Sequence, residues 1–225
     1  MMVLATVGLL VVTLGVASRS SLFHVRAIQV LGASHLSDRE VVALTGLSER
    51  TNEVWADLGA AVARLRSDPW IAEASVQRRL PFGLRIRIVE RTPVVVMDDG
   101  TRRLLVAADG TILGDAGRAC PLPVMVVPTR VVPWAGRVDV AGAARVAGSL
   151  APRVRSEVRR VIPGPDGTVA LILRGGVRVD YGWVEDLPRK ARVLSRLLSW
   201  AAQQGVSLRS VSLVAPAAPA GRLAG

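Results

Sequence analysis

The chain is poor in the residues from which most metal sites and disulfide frameworks are built. It has one cysteine (Cys120), two histidines and one lysine (Lys190) among 225 residues. A single cysteine excludes an intrachain disulfide, and one cysteine with two histidines cannot assemble a Cys/His zinc site. Aromatic residues make up only 4% of the chain, so the stacking platforms that bind single-stranded nucleic acid are scarce.

The chain also lacks the local patterns of common catalytic and nucleotide-binding sites. It contains no G-x-x-x-x-G-K-[ST] loop, and neither His24 nor His35 lies in a motif that would position a general base. The adjacent carboxylates Asp98 and Asp99 precede a glycine, and we interpret them as solvated turn residues. These absences favour a protein that is not an enzyme and that uses no catalytic residue, metal or cofactor.

Positive charge and apolar residues are present in excess. The formal net charge is +11, carried almost wholly by arginine, and half of the residues are hydrophobic. Such a charge suggests an anionic partner or surface, but no run of five like charges marks a binding tail. We interpret the arginines as a solvated surface, with a dedicated polyanion site as the alternative.

An apolar run opens the chain. Residues 1–17 contain no charged side chain and would form roughly 25 Å of helix, close to the thickness of a bilayer core. We predict a transmembrane anchor over residues 1–21. A signal peptide cleaved before Ser18 is the second interpretation, and a buried core helix is the third. The first two export the rest of the chain, which removes nucleic acid from the expected partners.

The next segment predicts a strand followed by two helices. Residues 25–32 alternate between apolar and polar side chains, as in a half-buried strand. Ser37 and Glu40 form the pattern of a capping box at a helix start. Asp57 can cap a second helix, which ends before Pro69 because the residue preceding a proline avoids helical geometry.

A basic hairpin follows these helices. Apolar and polar residues alternate on both sides of a Pro-Phe-Gly turn at residues 81–83. We expect the apolar face to pack on the two helices and the other face to carry arginines to the surface. The arginines that we consider a possible secondary contact are Arg78, Arg79, Arg85 and Arg87.

Beyond Pro93 the pattern changes to short apolar runs between turn signals, which is typical of a β-rich domain. Two helices are predicted within it, over residues 138–150 and 187–204, and a last strand is predicted over residues 208–214. The final residues, 216–225, are rich in alanine, proline and glycine and are predicted to be disordered.

The order of these pieces resembles that of the FtsQ/DivIB family of bacterial cell-division proteins. The resemblance rests on Pro69-Trp70, Arg78-Arg79 before Leu80-Pro81, Ile88-Val89-Glu90-Arg91 before Pro93, and later Gly182 and Lys190. It implies an α+β chain with a single N-terminal membrane helix (1–21), a POTRA domain of β-α-α-β-β order (22–92) and a mixed or antiparallel β-domain with two helices (93–215). A disordered tail (216–225) would follow.

The resemblance implies a scaffold without catalysis in the division machinery. Such a protein binds FtsB/DivIC-like and FtsL-like bitopic proteins and other divisome proteins, and helps coordinate septal peptidoglycan synthesis. It lies in the inner or plasma membrane at the septum, with a cytoplasmic N-terminus. The implied partner site is the last strand, where a partner adds a strand. Its residues here are Ser210, Val211, Ser212, Leu213 and Val214. On this hypothesis, proline at Val211 would remove a ladder donor and weaken binding.

Two other functions remain open from the residues. The chain could be a POTRA-bearing exported chaperone or docking protein for secretion or envelope assembly. It could also be a membrane-anchored enzyme or polyanion binder that uses the hairpin arginines, and polyanion binding would fall steeply with salt. Capture of short bitopic coiled-coil proteins from membranes would favour the scaffold over both.

Overall fold

The computed structural model describes residues 24–48, 51–52, 54–79, 81, 83–127, 137–164 and 166–223. The predicted membrane helix, residues 1–21, lies outside these ranges. None of the helices within them is both long enough and apolar enough to cross a bilayer. The chain divides between Arg91 and Thr92 into two units, here called the N-terminal unit and the β-unit.

The N-terminal unit has the predicted β-α-α-β-β order. Its elements are β1 (Ala27–Leu31), α1 (Asp38–Thr45), α2 (Leu58–Ser67), β2 (Ile71–Arg79) and β3 (Gly83–Glu90). Strand β3 is central, with β1 parallel on one side and β2 antiparallel on the other. Parallel β1 and β3 require a crossover, and the helices and β2 supply it.

The core of this unit lies between one face of the sheet and the two helices. The capping box at α1 is confirmed: the Glu40 carboxylate accepts from the Ser37 N–H at 2.7 Å, and Ser37 Oγ accepts from the Glu40 N–H at 3.3 Å. The alternation of the hairpin is confirmed too, because Leu84, Ile86 and Ile88 are buried while Arg87 between them is exposed. The buried side chains include Val41, Ala61, Leu65, Ile71, Ala74, Val76, Leu84, Ile86 and Ile88.

Glu90, the last residue of β3, holds the loop between β1 and α1. Its carboxylate accepts hydrogen bonds from the Ser34 N–H (3.0 Å), the Ser34 hydroxyl (2.7 Å), the His35 N–H (2.8 Å) and the Leu36 N–H (3.0 Å). Partial burial raises the pKa of Glu90, but these hydrogen bonds outweigh it and lower the pKa to about 2. The loop begins at Gly32 (φ 90°), where a Cβ would stand 2.1 Å from the Ile88 carbonyl oxygen. The loop geometry therefore requires glycine.

Arg91, the next residue, holds the turn between α2 and β2. Its guanidinium donates to the carbonyls of Pro69 (3.0 Å) and Ile71 (2.6 Å), and its N–H donates to the Trp70 carbonyl at 2.7 Å. The Trp70 ring stacks on His35 with 3.5 Å between ring centroids. The Glu-Arg pair of the sequence motif thus fixes two loops through side-chain contacts.

The β-unit is built on a nine-stranded mixed sheet. Its strands are β4 (Pro93–Asp98), β5 (Arg103–Ala107), β6 (Ile112–Asp115), β7 (Val124–Val126), β8 (Val158–Pro163), β9 (Thr168–Leu173), β10 (Arg178–Trp183), β11 (Leu208–Ser212) and β12 (Ala220–Leu223). Their order across the sheet is β12-β11-β10-β9-β8-β7-β4-β5-β6. The helices of the unit are α3 (Arg137–Ser149), α4 (Pro152–Glu157) and α5 (Leu187–Gln204).

Helix α3 covers the middle of this sheet, where it contacts β4, β5, β8 and β9. Its small buried residues allow close approach to the strands: Ala143, Ala144, Val146 and Ala147. Helix α5 contacts α3 and contributes Leu194, which is fully buried in the same core. The core therefore continues from the middle of the sheet towards the end that carries β10 and β11.

The structure differs from the sequence predictions for this unit at two places. The structure describes three helices rather than two, because Pro152 begins the additional α4; proline at the first helical turn loses no hydrogen bond that the helix would make. The segment 216–225 was predicted to be disordered, but Ala220–Leu223 pairs antiparallel with β11. Edge pairing uses main-chain groups, so a tail of small residues can still form a strand.

Candidate partner-binding edge

The predicted partner site lies at one end of the nine-stranded sheet. Strand β11 runs parallel to β10, with Val179 opposite Val211 and Asp180 opposite Ser212. The strand ends at Ser212, so the predicted range 210–214 extends beyond it. Leu213 is fully buried, whereas Val214 retains 61% exposure. The five predicted residues therefore divide between strand, core and surface.

Main-chain amides of β11 alternate between its two neighbours. The Leu213 N–H donates to the Asp180 carbonyl of β10 at 2.8 Å. Because successive residues direct their main-chain groups to opposite sides, Val211 also faces β10, while Ser210 and Ser212 face the outer side. Val211 is buried in the core, so proline there would break the internal ladder rather than the outer one. The test residues for the outer side are Ser210 and Ser212.

The outer side of β11 carries β12 rather than being open. The register places Ser210 opposite Arg222 and Ser212 opposite Ala220. All four residues of β12 are exposed, so this strand buries little side-chain area. The expectation of an open edge at β11 is corrected: the edge is covered by the chain's own tail.

An apolar groove of about 570 Å³ runs between helix α5 and these last two strands. Val193, Leu197 and Trp200 repeat at helical spacing along one face of α5, and Trp200 is 50% exposed. The remaining lining residues are Arg196, Leu208, Pro219, Gly221 and Leu223. A strand seated on β11 can therefore add apolar contacts with α5 to its main-chain hydrogen bonds.

The start of α5 is fixed to β10 by two polar contacts. The Lys190 ammonium is buried, donates to the Trp183 carbonyl at 2.9 Å and lies 5.7 Å from the centre of the Tyr181 ring. The Tyr181 hydroxyl donates to the Leu187 carbonyl at 3.3 Å. Burial raises the pKa of Tyr181, so the hydroxyl stays a donor at neutral pH. These contacts position the α5 wall of the groove.

Gly182 sets the path of the chain next to β11. It lies at an irregularity of the β9–β10 ladder and has φ 74°, a region that favours glycine. A Cβ at this position would stand 3.3 Å from Val214 Cγ2 and 3.4 Å from Val214 Cα. Gly182 thus allows the residues after β11 to pack closely against β10.

The structure brings together only part of the predicted arginine contact in the N-terminal unit. The Arg79 and Arg85 guanidinium groups both donate to Gln29 Oε1, at 3.0 and 3.3 Å, and Arg87 is exposed on the same strand as Arg85. The Arg78 guanidinium instead donates to the carbonyls at positions 54 and 56, at 3.2 and 3.0 Å. Arg78 therefore holds the segment before α2 and lies apart from the other three.

The carboxylate pair considered for acid–base chemistry lies in a turn. Asp99 accepts from the Thr101 hydroxyl (2.7 Å) and from the N–H groups of Thr101 (2.8 Å) and Arg102 (2.7 Å), and these hydrogen bonds lower its pKa to about 2. Asp98 accepts from the Gly100 N–H at 2.9 Å. Within the described ranges, no three His, Cys, Asp or Glu side chains cluster as they would around a metal ion.

Sequence reasoning placed the helix over residues 187–204 beside this edge but missed two features, the tail strand and the face of α5 that lines the groove. The helical spacing of Val193, Leu197 and Trp200 was a usable signal for an apolar face. Strand β12 left no such signal, because its contacts run through the main chain and its residues are small or exposed.

Comparison with known proteins gives consistent matches. A family model described as "POTRA domain, FtsQ-type" matches residues 23–91. Cell division protein FtsQ of Mycobacterium leprae (strain Br4923) is 35% identical over 184 residues, which cover 78% of this chain and 50% of that protein. FtsQ of Anaeromyxobacter sp. (strain K) is 32% identical over 199 residues, covering 83% and 67%. FtsQ of Streptomyces venezuelae is 29% identical over 226 residues, covering 96% and 82%.

The match to the Mycobacterium leprae protein spans about half of that protein's length. The Anaeromyxobacter relative is matched over two thirds of its length, at an identity that shows common family membership. The POTRA match, residues 23–91, ends at the same residue as the N-terminal unit. Taken with the Glu90 and Arg91 anchors, these matches show that the chain belongs to the FtsQ/DivIB family of bacterial cell-division proteins.

Proposed function

We propose that this chain is a membrane-anchored scaffold of the bacterial division machinery. In this role it binds FtsB/DivIC-like and FtsL-like bitopic proteins and helps coordinate septal peptidoglycan synthesis. Family membership supports a role in cell division. The N-terminal segment 1–21, whose first 17 residues are uncharged, would anchor it in the cell membrane, with a cytoplasmic N-terminus and the two units outside the cytoplasm.

The observation that carries the proposal is the make-up of the β11 end of the sheet. An added strand would pair with the outward main-chain groups of Ser210 and Ser212, which pair with β12 in this structure; such pairing is a common source of affinity in strand addition. The apolar face of α5 lies directly beside them. Side chains at alternate positions of the partner strand could enter this groove and give the contact its specificity.

Site-specific photo-crosslinking in membranes tests this assignment, because the sheet has a second end to serve as control. A photoreactive amino acid replaces Val214 beside β11 in one variant and Ile112 on β6 in the other; these apolar residues are 61% and 46% exposed. We expect short bitopic coiled-coil proteins to be recovered from the Val214 variant and not from the Ile112 variant.

Equal recovery from both positions, or recovery from Ile112 alone, would refute the β11 assignment. Recovery of many unrelated envelope proteins at Val214 would instead support the exported chaperone or docking function. Both substitutions fall on exposed side chains, and equal thermal unfolding of the two variants is the check that the comparison reports on the surface.

A further inference from the structure

The tail strand β12 already occupies the place that a partner strand would take. It lies antiparallel on β11 and pairs with Ser210 and Ser212, the two residues whose amides face outward. Pro219 and Leu223 also line the groove against α5. The tail therefore uses both the main-chain and the apolar contacts that strand addition at this edge offers.

Strand β12 makes few stabilising contacts with the β11 edge. All four of its residues are exposed, and Leu223 keeps 59% of its surface exposed even though it lines the groove. Gly221 and Ala220 bring almost no apolar area to the groove. Because buried apolar area is the main source of stabilisation, a short strand held mainly by main-chain hydrogen bonds opens at low free-energy cost. A partner strand with larger side chains would bury more area on the same surface.

A short connection keeps this weak strand in place. Residues 213–219 join β11 to β12, and within them the Ala218 N–H donates to the Ala215 carbonyl at 3.0 Å. A short tether gives the tail a high effective concentration at the edge. The tail can therefore cover β11 in the free chain even though its own contacts are few.

We propose that β12 is an intramolecular plug that covers the β11 edge until a partner strand displaces it. This inference rests on the proposed function and adds a regulation to it. The plug protects an edge that would otherwise pair with other chains. If the edge is free in roughly 1 to 10% of molecules, the plug weakens the apparent affinity for the partner about ten- to a hundredfold.

Truncation of the tail tests the plug. The full chain and the same chain ending at Ala215 are each titrated with the extracytoplasmic segment of the FtsB/DivIC-like protein from the same bacterium. We expect the truncated chain to bind about tenfold more tightly or better. Without partner, we expect faster hydrogen exchange at the Ser210 and Ser212 amides of the truncated chain than of the full chain.

A pair of proline variants provides a second test that leaves β11 intact. Arg222 faces Ser210 in the ladder, so Arg222→Pro removes a donor of β12 to β11. The amide of Gly221 faces away from β11 by the same alternation, so Gly221→Pro is the matched control. We expect Arg222→Pro to tighten partner binding and Gly221→Pro to leave it unchanged.

The outcomes separate the two proposals. Partner binding that is unchanged or weaker in both the truncated chain and Arg222→Pro overturns the plug, and makes β12 itself part of the docking surface. Absence of binding to every form of the chain overturns the proposed function and the plug together. Tighter binding in both variants supports the plug.

Discussion

The loops of the N-terminal unit and the last strands of the β-unit are held by different kinds of contact. In the N-terminal unit, the side chains of Glu90 and Arg91 fix two loop segments through hydrogen bonds of 2.6–3.0 Å. At the end of the β-unit, β12 is joined to β11 through main-chain pairing by residues that stay exposed. Side-chain anchors require particular residues, whereas main-chain pairing tolerates many.

The residues on which the family resemblance rests are therefore different from the residues proposed to bind a partner. The motif around Glu90 and Arg91, on which the family resemblance rests, consists of residues whose side chains hold two loops by hydrogen bonds. A partner edge that exchanges one strand for another has to be held less tightly, since displacement must overcome the existing contacts. Changes in the two regions should therefore have separate effects, on stability in one case and on binding in the other.

The largest expected effect on stability is that of Glu90→Ala. It leaves the Ser34, His35 and Leu36 donors without their acceptor, and we expect the N-terminal unit to lose about 1–3 kcal/mol of unfolding free energy. Hydrogen exchange in increasing urea at the amide of Ile86, a buried residue of the central strand β3, measures this loss. Glu73→Ala, at an exposed glutamate of β2, is the control. An equal loss in both variants would contradict the anchor role, and partner binding should stay unchanged in each.

A smaller effect is expected from Gly182→Ala in the β-unit. Gly182 and Gly176 both have positive φ, at 74° and 81°, so alanine costs about 1–2 kcal/mol of strain at either. A Cβ at Gly182 also contacts Val214, whereas one at Gly176 meets no heavy atom within 4 Å. Thermal unfolding should show a greater loss for Gly182→Ala than for Gly176→Ala. Equal losses would show that Val214 moves aside freely.

The smallest expected effect on stability is that of low pH, which acts through Glu90. The pKa of Glu90 is lowered from 4.5 to about 2 in the folded chain, so its contribution to stability is present above pH 4.5 and is lost as pH falls towards 2. A protonated carboxyl still accepts some of the hydrogen bonds, which limits the loss. We measure the protection of the His35 amide against hydrogen exchange in the native chain and in Glu90→Gln. Between pH 4.5 and pH 2 this protection should decline more in the native chain than in the variant. Equal declines in the two chains would assign the effect to another group.

Much of the fold could be predicted because its determinants are local. The capping box at Ser37 and Glu40 and the alternation around residues 81–83 each depend on residues close in sequence, and both are confirmed. Short helix α4 was missed because its six residues are too few to show a helical period. Arg78 was grouped with Arg79, although neighbouring strand residues point to opposite faces of a sheet.

The partner edge was less predictable because it depends on pairing over the whole sheet. The position of β11 was predicted from the sequence. The side to which Val211 directs its amide was not, because it follows from the register of β11 with β10. The cover by β12 depends on main-chain groups that every residue except proline carries. Composition indicated a flexible tail at the place where the sheet continues.

A reversible disulfide between β11 and β12 tests the central claim most directly. Ser210 and Arg222 lie opposite each other, and residues opposed in this way have Cα atoms about 5.5 Å apart, within the range for a disulfide. The variant carries Ser210→Cys and Arg222→Cys, with Cys120→Ser to remove the native thiol. Oxidation should abolish binding of the FtsB/DivIC-like segment, and reduction should restore it. Binding that is equally tight in the oxidised and reduced chains would contradict partner docking at the β11 edge.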